Sequence, residues 1–219
     1  MTAAKKRNFP RGGRRDRIRT RARRILIVCG GDTEREYFDF ARAELSASAV
    51  KVVAVGKDPL SVVRYASKLK LDSEQRDEAY SEVWVVTDVD DFKNLAEAQR
   101  HAQEAGIRLA ISNPCFEVWL IDHMRVCPES CSDTLSCEAK AREFGLVSGN
   151  TGRRTSLEKA KHIRPDAIRG RIETAMSNAH EHNTEEKRAC RNKTPDRTRG
   201  YTVWTDADQI IEVMKRRES

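Results

Sequence analysis

The sequence predicts an α/β fold, with a mostly parallel central sheet flanked by helices and a helical C-terminal part. Two observations support this prediction. Short apolar runs alternate with segments of helical periodicity through the first half of the chain. The first run, residues 25–29 (ILIVC), is apolar throughout, which is typical of a strand buried on both faces. Such alternation favours parallel strands joined by right-handed helical crossovers.

Each predicted strand in this half is followed by a predicted helix. Thr33 is expected to cap the first helix, the second follows the breaker Pro59, and the third ends at Gly106. The predicted strands are 25–29, 50–55, 83–87 and 107–111, and the third helix is 95–105.

Beyond Pro114 the pattern changes to helices that are separated by Arg- and Lys-rich loops. The aromatic and apolar residues Phe116, Trp119 and Leu120 are expected to pack in the core rather than to contact a cofactor. We predict helices at 115–124, about 135–144, about 155–182 and 205–217.

One domain is the expected organisation, because 219 residues with 38% hydrophobic content suffice for one modest core. We expect a basic, flexible arm at 1–24 and a single domain at 25–219, divided into an α/β core at about 25–125 and a helical extension at about 126–219. No run approaches the roughly eighteen apolar residues of a membrane helix, and no signal peptide is recognisable. A cytoplasmic protein without membrane contact is therefore expected.

The N-terminal arm carries the net positive charge of the chain. It holds eleven Lys and Arg residues against Asp16 as its one acidic residue, while the whole chain has a net charge of +7. A basic arm on a near-neutral body is typical of proteins that bind phosphate backbones, because releasing condensed counterions supplies affinity that does not depend on sequence. The arm therefore predicts nucleic-acid contact, with a solubilising tail as the alternative.

An acidic segment, Asp88-Val89-Asp90-Asp91, follows the predicted strand 83–87. In open α/β sheets ligands bind outside the carboxyl ends of strands, and carboxylates two residues apart can converge there on one hard cation. We therefore expect Mg²⁺ or Mn²⁺ at this segment, bridging to a phosphate. The alternative is a carboxylate-rich turn that caps the next helix.

A glycine-containing segment, Cys29-Gly30-Gly31-Asp32-Thr33-Glu34, joins the first strand to the first helix. Glycines let a backbone approach a ligand, and a helix N-terminus favours an anion, so the segment is compatible with a phosphate site. The P-loop pattern is absent. A plain tight turn before a helix is the alternative.

The segment from Ser112 to His123 (SNPCFEVWLIDH) follows the fourth strand and opens a helix. Glu117 and His123 are nearly two helical turns apart, so they need not share a face. A lone histidine is more often structural than catalytic, although its ordinary pKa near neutrality suits a proton donor.

The chain has six cysteines. Cys127, Cys131 and Cys137, together with His123, offer four potential zinc ligands, but the gaps of three and five residues lack the Cys-x2-Cys spacing of strong zinc signatures. Free thiols are the expected state, because the cytosol disfavours structural disulfides. Cys29 and Cys115 are expected to be small core residues. Whether the other three bind zinc stays open.

Three of these segments together resemble the RloB-like family. They are 25–38 (ILIVCGGDTEREYF), 85–92 (VVTDVDDF) and 112–123, in this order and at fitting separations. The resemblance covers most of residues 25–125, and a weaker similarity continues at 192–195 and 201–203. The nine-residue pattern Ser-Asn-Pro-Cys-Phe-Glu-x-Trp-Leu is its most specific element.

The resemblance implies a Toprim-like fold, the metal-dependent phosphodiester-cleaving core also seen in topoisomerases, primases and OLD-type nucleases. RloB-like proteins occur in bacterial anti-phage defence loci of the abortive-infection type, often beside an AAA-type ATPase. They are thought to act as nuclease effectors there, with RNA, transfer RNA or DNA as substrate. The oligomeric state stays open, a homo-oligomer included.

The family motifs assign site residues by position. Asp88 and Asp90 match the metal-binding Asp-x-Asp, with Asp91 as an outer partner of the ion. Glu34, Glu117 and His123 are the catalytic candidates, of which His123 is the potential proton donor to the leaving oxygen. Candidate substrate-binding residues are Thr33 and Asn113 from the motifs, and Arg191, Lys193, Arg197 and Arg199 from the basic C-terminal segment.

One position departs from the Toprim pattern. Gly30 stands where those proteins usually place the glutamate that acts in acid–base catalysis. Either Asp32 or Glu34 supplies the missing carboxylate, or the chain has lost catalysis. In the latter case we expect a nucleic-acid-binding adaptor or a subunit that regulates an ATPase partner.

Overall fold

The structure is a computed structural model that describes residues 23–56, 58–89, 94–149, 161–193 and 203–216. Strands and helices alternate up to residue 113, and helices predominate afterwards. In chain order the elements are β1 (Ile25–Cys29), α1 (Asp32–Glu44), β2 (Val50–Ala54), α2 (Pro59–Gln75), β3 (Glu82–Asp88), α3 (Leu95–Glu104), β4 (Arg108–Asn113), α4 (Glu117–Asp122), α5 (Thr134–Glu143), β5 (Val147–Ser148), β6 (His162–Ile163), α6 (Pro165–Ile168), α7 (Ile172–His182), α8 (Glu185–Lys193), β7 (Trp204–Thr205) and α9 (Ala207–Lys215).

The central sheet has five strands in the order β2-β1-β3-β4-β7. The first four are parallel, and β7 pairs antiparallel with the end of β4. The predicted mostly parallel sheet flanked by helices is therefore confirmed. Strand β2 pairs with one side of β1, and the next strand along the chain, β3, pairs with the other side of β1. This reversal makes the carboxyl ends of β1 and β3 a topological switch point.

Both faces of the sheet are covered, as the apolar run 25–29 predicted. Ile25 and Ile27 pack on one face against α1, while Leu26 and Val28 pack on the other against α2 and α3. Successive side chains of a strand point to opposite faces, so a strand with helices on both sides must be apolar at every position.

The aromatic part of the core lies on the α1 face. Phe116, Trp119 and Leu120 are buried there, as expected from the sequence, and they pack with Tyr37 and Phe38 of α1. Cys29 and Cys115 are also buried in this layer. The predicted core residues of this region are therefore confirmed.

The helical part differs from the prediction in several elements. The single helix predicted at about 155–182 is wrong over its described residues, which form β6, α6 and α7. Gly170 has a φ of 71°, a left-handed conformation that interrupts the helix between α6 and α7. The other differences are β5, α8 and β7, which lie in or next to stretches interpreted as loops. Strand β7 is two residues long and depends on its pairing with β4, so it leaves little local signal.

Two residues of the expected arm belong to the folded body. Arg23 donates to Glu82 (2.7 Å) and to the carbonyl of Val213 (3.0 Å), which ties the chain to β3 and α9. Arg24 lies over the ring of Tyr80 at 5.0 Å from its centre. Residues 1–22 lie outside the described residues. In the part that the structure does describe, no helix combines the length and apolarity needed to cross a membrane.

Arg191 anchors α8 to the sheet. Its guanidinium donates to the carbonyl of His182 (3.2 Å) and to Asn183 (3.0 Å) and lies over the Trp204 ring at 4.2 Å from its centre. Asp206 is 3.8 Å away, and Arg191 is 2% exposed. A guanidinium placed in this way contacts α7 and β7 from α8 and stabilises the packing of these three elements.

We expect Arg191→Ala to lower the free energy of unfolding by about 3 kcal/mol, because it removes one partner of a buried charged network. Lys187→Ala is the matched control, since Lys187 is an exposed cation on the same helix and should change stability by less than about 0.5 kcal/mol. Urea unfolding of both variants checks this. Equal stability of the two variants would contradict a structural role for Arg191.

Candidate metal and acid–base site

Three strands end at the same edge of the sheet. Cys29 of β1 is in register with Val86 of β3, and Asp88 at the end of β3 is in register with Ser112 of β4. The segments that follow β1, β3 and β4 therefore start from one edge. These are the three segments that resemble the family motifs.

The loop after β1 is bound to β3 by its backbone. Gly30 donates its N–H to the carbonyl of Val86 at 3.0 Å. A Cβ at Gly30 would lie 3.5 Å from the same oxygen, an ordinary contact, so a side chain is tolerated at this position. At Gly31 a Cβ would lie 2.7 Å from the carboxylate of Glu34. A side chain at Gly31 would therefore displace the Glu34 carboxylate from its place over the loop.

Glu34 folds back over Gly31 at the start of α1. Gly31 is the N-cap residue, so Glu34 occupies the third helical position, from which a glutamate can reach the first N–H groups of its own helix. Thr33 lies inside the first turn, so the prediction that it caps the helix is wrong. The Glu34 side chain accepts a hydrogen bond from its own backbone and is 6% exposed.

Glu117 lies at the first turn of α4 and is 2% exposed. Its Oε1 accepts a hydrogen bond from Lys161 Nζ at 2.8 Å, and the same Nζ is 2.5 Å from Oε1 of Glu138 in α5. Burial opposes the charge of Lys161, but the two carboxylates outweigh it and raise the pKa of the lysine. The cation therefore stays charged between two glutamates.

The N-terminal half of α1 binds the segment that carries Lys161. Glu36 bonds His162 Nδ1 at 2.6 Å and accepts the N–H of Ile163 at 3.0 Å, and Thr33 Oγ1 donates to the carbonyl of Lys161 at 3.4 Å. These contacts join α1 to β6. They explain how a lysine distant in sequence comes to lie beside Glu117.

Glu34 has a pKa that suits proton transfer at neutral pH. Burial, then the negative charge of Glu117 and that of Asp32, raise it from 4.5 to about 7, although the backbone hydrogen bond and Lys161 partly oppose the rise. A carboxylate with this pKa can take and return a proton near neutrality. Asp32, the other candidate for the missing carboxylate, has a side chain that is 68% exposed and pairs with Arg35.

The metal-binding segment is described only in part. Asp88 ends β3, and the next residue, Val89, donates its N–H to Ser112, so the chain stays beside β4 for one more position. Asp90 and Asp91 lie outside the described residues. Among the described residues, no three carboxylates converge within 4.8 Å. Oxygen donors at a strand end still suit Mg²⁺, which binds through one or two carboxylates and keeps several waters.

His123 is a core residue. Nδ1 donates to the carbonyl of Trp119 at 2.9 Å, which leaves Nε2 to accept from the Tyr37 hydroxyl at 3.2 Å. The ring is fully buried, and burial lowers its pKa to about 4. A buried, neutral imidazole has no proton to give to a leaving group at neutral pH. This geometry argues against the predicted role of His123 as a proton donor.

The predicted substrate-binding residues fall into separate places. Asn113 is 7% exposed at the end of β4, in register with Trp204, and Thr33 is directed toward the Lys161 carbonyl. The burial of Arg191 corrects its expected role, because a guanidinium enclosed by protein groups cannot reach a phosphate backbone. Arg197, Arg199 and the side chain of Lys193 lie outside the described residues.

Sequence reasoning missed Lys161 and Glu138. Both are separated from Glu117 by long stretches of chain, and neither belongs to a recognisable motif. A lysine in a charged segment is most often exposed, so no local signal distinguished this one.

Glu34 should make stability depend on pH. Its pKa is 4.5 in the unfolded chain and about 7 in the folded protein, so the folded state binds the proton more tightly. The free energy of unfolding should therefore fall as the pH rises through this window, by at most about 3 kcal/mol. Glu34→Gln should remove this loss and become more stable than the unchanged protein above about pH 7.

Urea unfolding of both proteins between about pH 5 and pH 8 measures the difference. Glu74→Gln is the control, because Glu74 is an exposed carboxylate on α2, which packs on the other face of the sheet, and its profile should run parallel to that of the unchanged protein. Parallel profiles for Glu34→Gln would mean that the carboxylate is not held in the buried position.

Comparison with known proteins identifies a family. A family model described as RloB-like protein matches residues 25–214, most of the chain. No curated protein and no solved structure matches the chain. The match extends through the helical part, beyond the region of the three sequence motifs. The chain belongs to the RloB-like family.

Proposed function

We propose that this protein is a metal-dependent nuclease that hydrolyses phosphodiester bonds of RNA, transfer RNA included, or of DNA. We further propose that it serves as the effector of a bacterial anti-phage defence system of the abortive-infection type. The observation on which the proposal rests is Glu34, a buried carboxylate with a pKa of about 7 at the sheet edge where Asp88 ends β3.

The position of this edge supports a ligand site. The chain reverses direction between β1 and β3, and open α/β sheets bind ligands outside the carboxyl ends of strands at such a point. Glu34 follows β1, and Asp88 closes β3. A phosphodiester bound here would have an acid–base group on one side and a carboxylate suited to a cation on the other.

Asp88 and Asp90 are the residues that would hold Mg²⁺ or Mn²⁺. When bound, the ion would neutralise charge on the non-bridging phosphate oxygens and lower the pKa of an attacking water. Lys161 adds a positive charge near Glu34, and its ion pairs with Glu117 and Glu138 hold that charge in place. The Lys161 side chain is 28% exposed, so a phosphate in solvent could reach it.

The reaction we propose is hydrolysis by a water molecule. The water oxygen attacks phosphorus, one phosphorus–oxygen ester bond breaks, and the proton of the water passes to the Glu34 carboxylate. The leaving oxygen takes a proton from solvent. Glu34 thus supplies the carboxylate that Gly30 does not, and its pKa lets it return the proton at neutral pH.

Cleavage should depend on both carboxylates. With labelled transfer RNA, messenger RNA or plasmid DNA and Mg²⁺ or Mn²⁺, we expect Asp88→Asn and Glu34→Gln each to lower the cleavage rate by roughly 100-fold or more. Asp32→Asn should cleave at close to the normal rate. Unimpaired cleavage by Asp88→Asn would refute the proposed site.

A second candidate function is nucleic-acid binding or regulation of an ATPase partner, without catalysis. Gly30 favours it, because the residue usual at that position in Toprim proteins is absent. No cleavage by the protein alone, or with an ATPase encoded nearby, would support this alternative. Since a side chain is tolerated at position 30, Gly30→Glu would then test whether restoring the carboxylate restores cleavage.

The basic arm should supply much of the affinity for nucleic acid. Residues 1–22 hold nine Lys and Arg residues. We expect their deletion to weaken transfer-RNA binding and to reduce the slope of log affinity against log salt concentration, because fewer counterions are released. Binding titrations at several salt concentrations measure the slope. An unchanged slope would mean that the arm does not contact the phosphate backbone.

A further inference from the structure

Four cysteine side chains gather between the end of β4 and α5. The sulfur atoms of Cys127, Cys131 and Cys137 lie within 4.8 Å of one another, and all three residues are buried. The thiol of Cys115 is hydrogen-bonded to that of Cys137 and is buried as well. These four residues are called the thiol cluster below. No residue of the site described above belongs to it.

We propose that the thiol cluster binds one structural zinc ion through four thiolates. Zinc takes four sulfur ligands in a tetrahedron at about 2.3 Å, which places the sulfur atoms about 3.8 Å apart. The sulfur atoms of Cys127, Cys131 and Cys137 lie within 4.8 Å of one another, and the sulfur of Cys115 contacts that of Cys137. A site closed by four protein ligands is structural rather than catalytic, because no coordination position stays open for water.

The geometry changes the ligand set that the sequence offered. The sequence offered His123 only as a potential fourth ligand, and in the structure its Nδ1 donates to the Trp119 carbonyl and its Nε2 accepts from Tyr37. Neither nitrogen is available to a metal without breaking the aromatic core. Cys115 takes its place, although it precedes the other three cysteines by a full helix.

The surroundings of the thiol cluster resemble those of a metal site. Cys127 and Cys131 lie in the irregular connection between α4 and α5, where the backbone has no sheet or long helix to fix it. Asp122 accepts the N–H of Cys127 at 2.9 Å and also bonds His182 at 2.9 Å. The buried carboxylate of Asp122 thus fixes the backbone of one ligand residue.

The ion would connect two parts of the chain that carry the Lys161 contacts. Cys115 is two residues from Glu117, and Cys137 is adjacent to Glu138. A zinc ion joining the two cysteines would fix the distance between the two glutamates that hold the lysine. The inference stands on the thiols alone and does not depend on nuclease activity.

Metal analysis of the protein tests the proposal directly. The chain, purified without a polyhistidine tag under reducing conditions, should contain about one zinc per chain by mass spectrometry, and X-ray absorption should show four sulfur neighbours at about 2.3 Å. Neither measurement uses a variant or a nucleic acid, so neither misfolding of a mutant nor failure of the proposed nuclease affects the result.

Variants then assign the ligands. Cys137→Ser should lose the zinc, Cys115→Ser should lose it or show three sulfur neighbours, and Cys190→Ser should retain it, because Cys190 is exposed outside the cluster. His123→Gln should also retain it. Protein that contains no zinc and takes up none when Zn²⁺ is offered to its reduced thiols would overturn the proposal. A spectrum with nitrogen ligands, or full retention by Cys137→Ser, would do the same.

Discussion

Parallel pairing of β1 with β3 determines where every candidate catalytic group lies. Because Cys29 and Val86 are in register, the loop at Gly30 reaches β3 directly, and α1 starts beside the end of the strand that carries Asp88. Adding β4 in parallel brings Asn113 and the start of α4 to the same edge. A shift of one residue would turn the strand side chains to the opposite face of the sheet and separate these groups.

The buried charges at this edge form a mutually dependent set. Lys161 is tolerated because Glu117 and Glu138 surround it, and burial together with the negative charge of Glu117 raises the pKa of Glu34. Burying such groups is costly for folding, since each loses its hydration. A cluster that costs stability yet holds one carboxylate with a pKa of about 7 is more typical of a functional site than of a structural one.

The helical part of the chain makes contacts that hold residues of the site in position. Glu36 holds the segment that presents Lys161, α5 provides Glu138, and Arg191 joins α8 to the last strand of the sheet. In the described residues, these contacts position the charged groups that lie at the edge of the sheet. The family match through residue 214 is consistent with a helical part that belongs to the same structural unit.

The sequence by itself determined the four parallel strands of the sheet, the three strand-end segments and the aromatic core, because runs such as 25–29 and the spacing of Trp119 in its helix are local patterns. It also named Glu34 and Glu117. Only the tertiary structure paired Lys161 with Glu117, enclosed Arg191 and placed His123 among aromatic rings. Burial and ion pairing depend on segments that are distant in sequence, so the charge and exposure of these side chains were decided by packing.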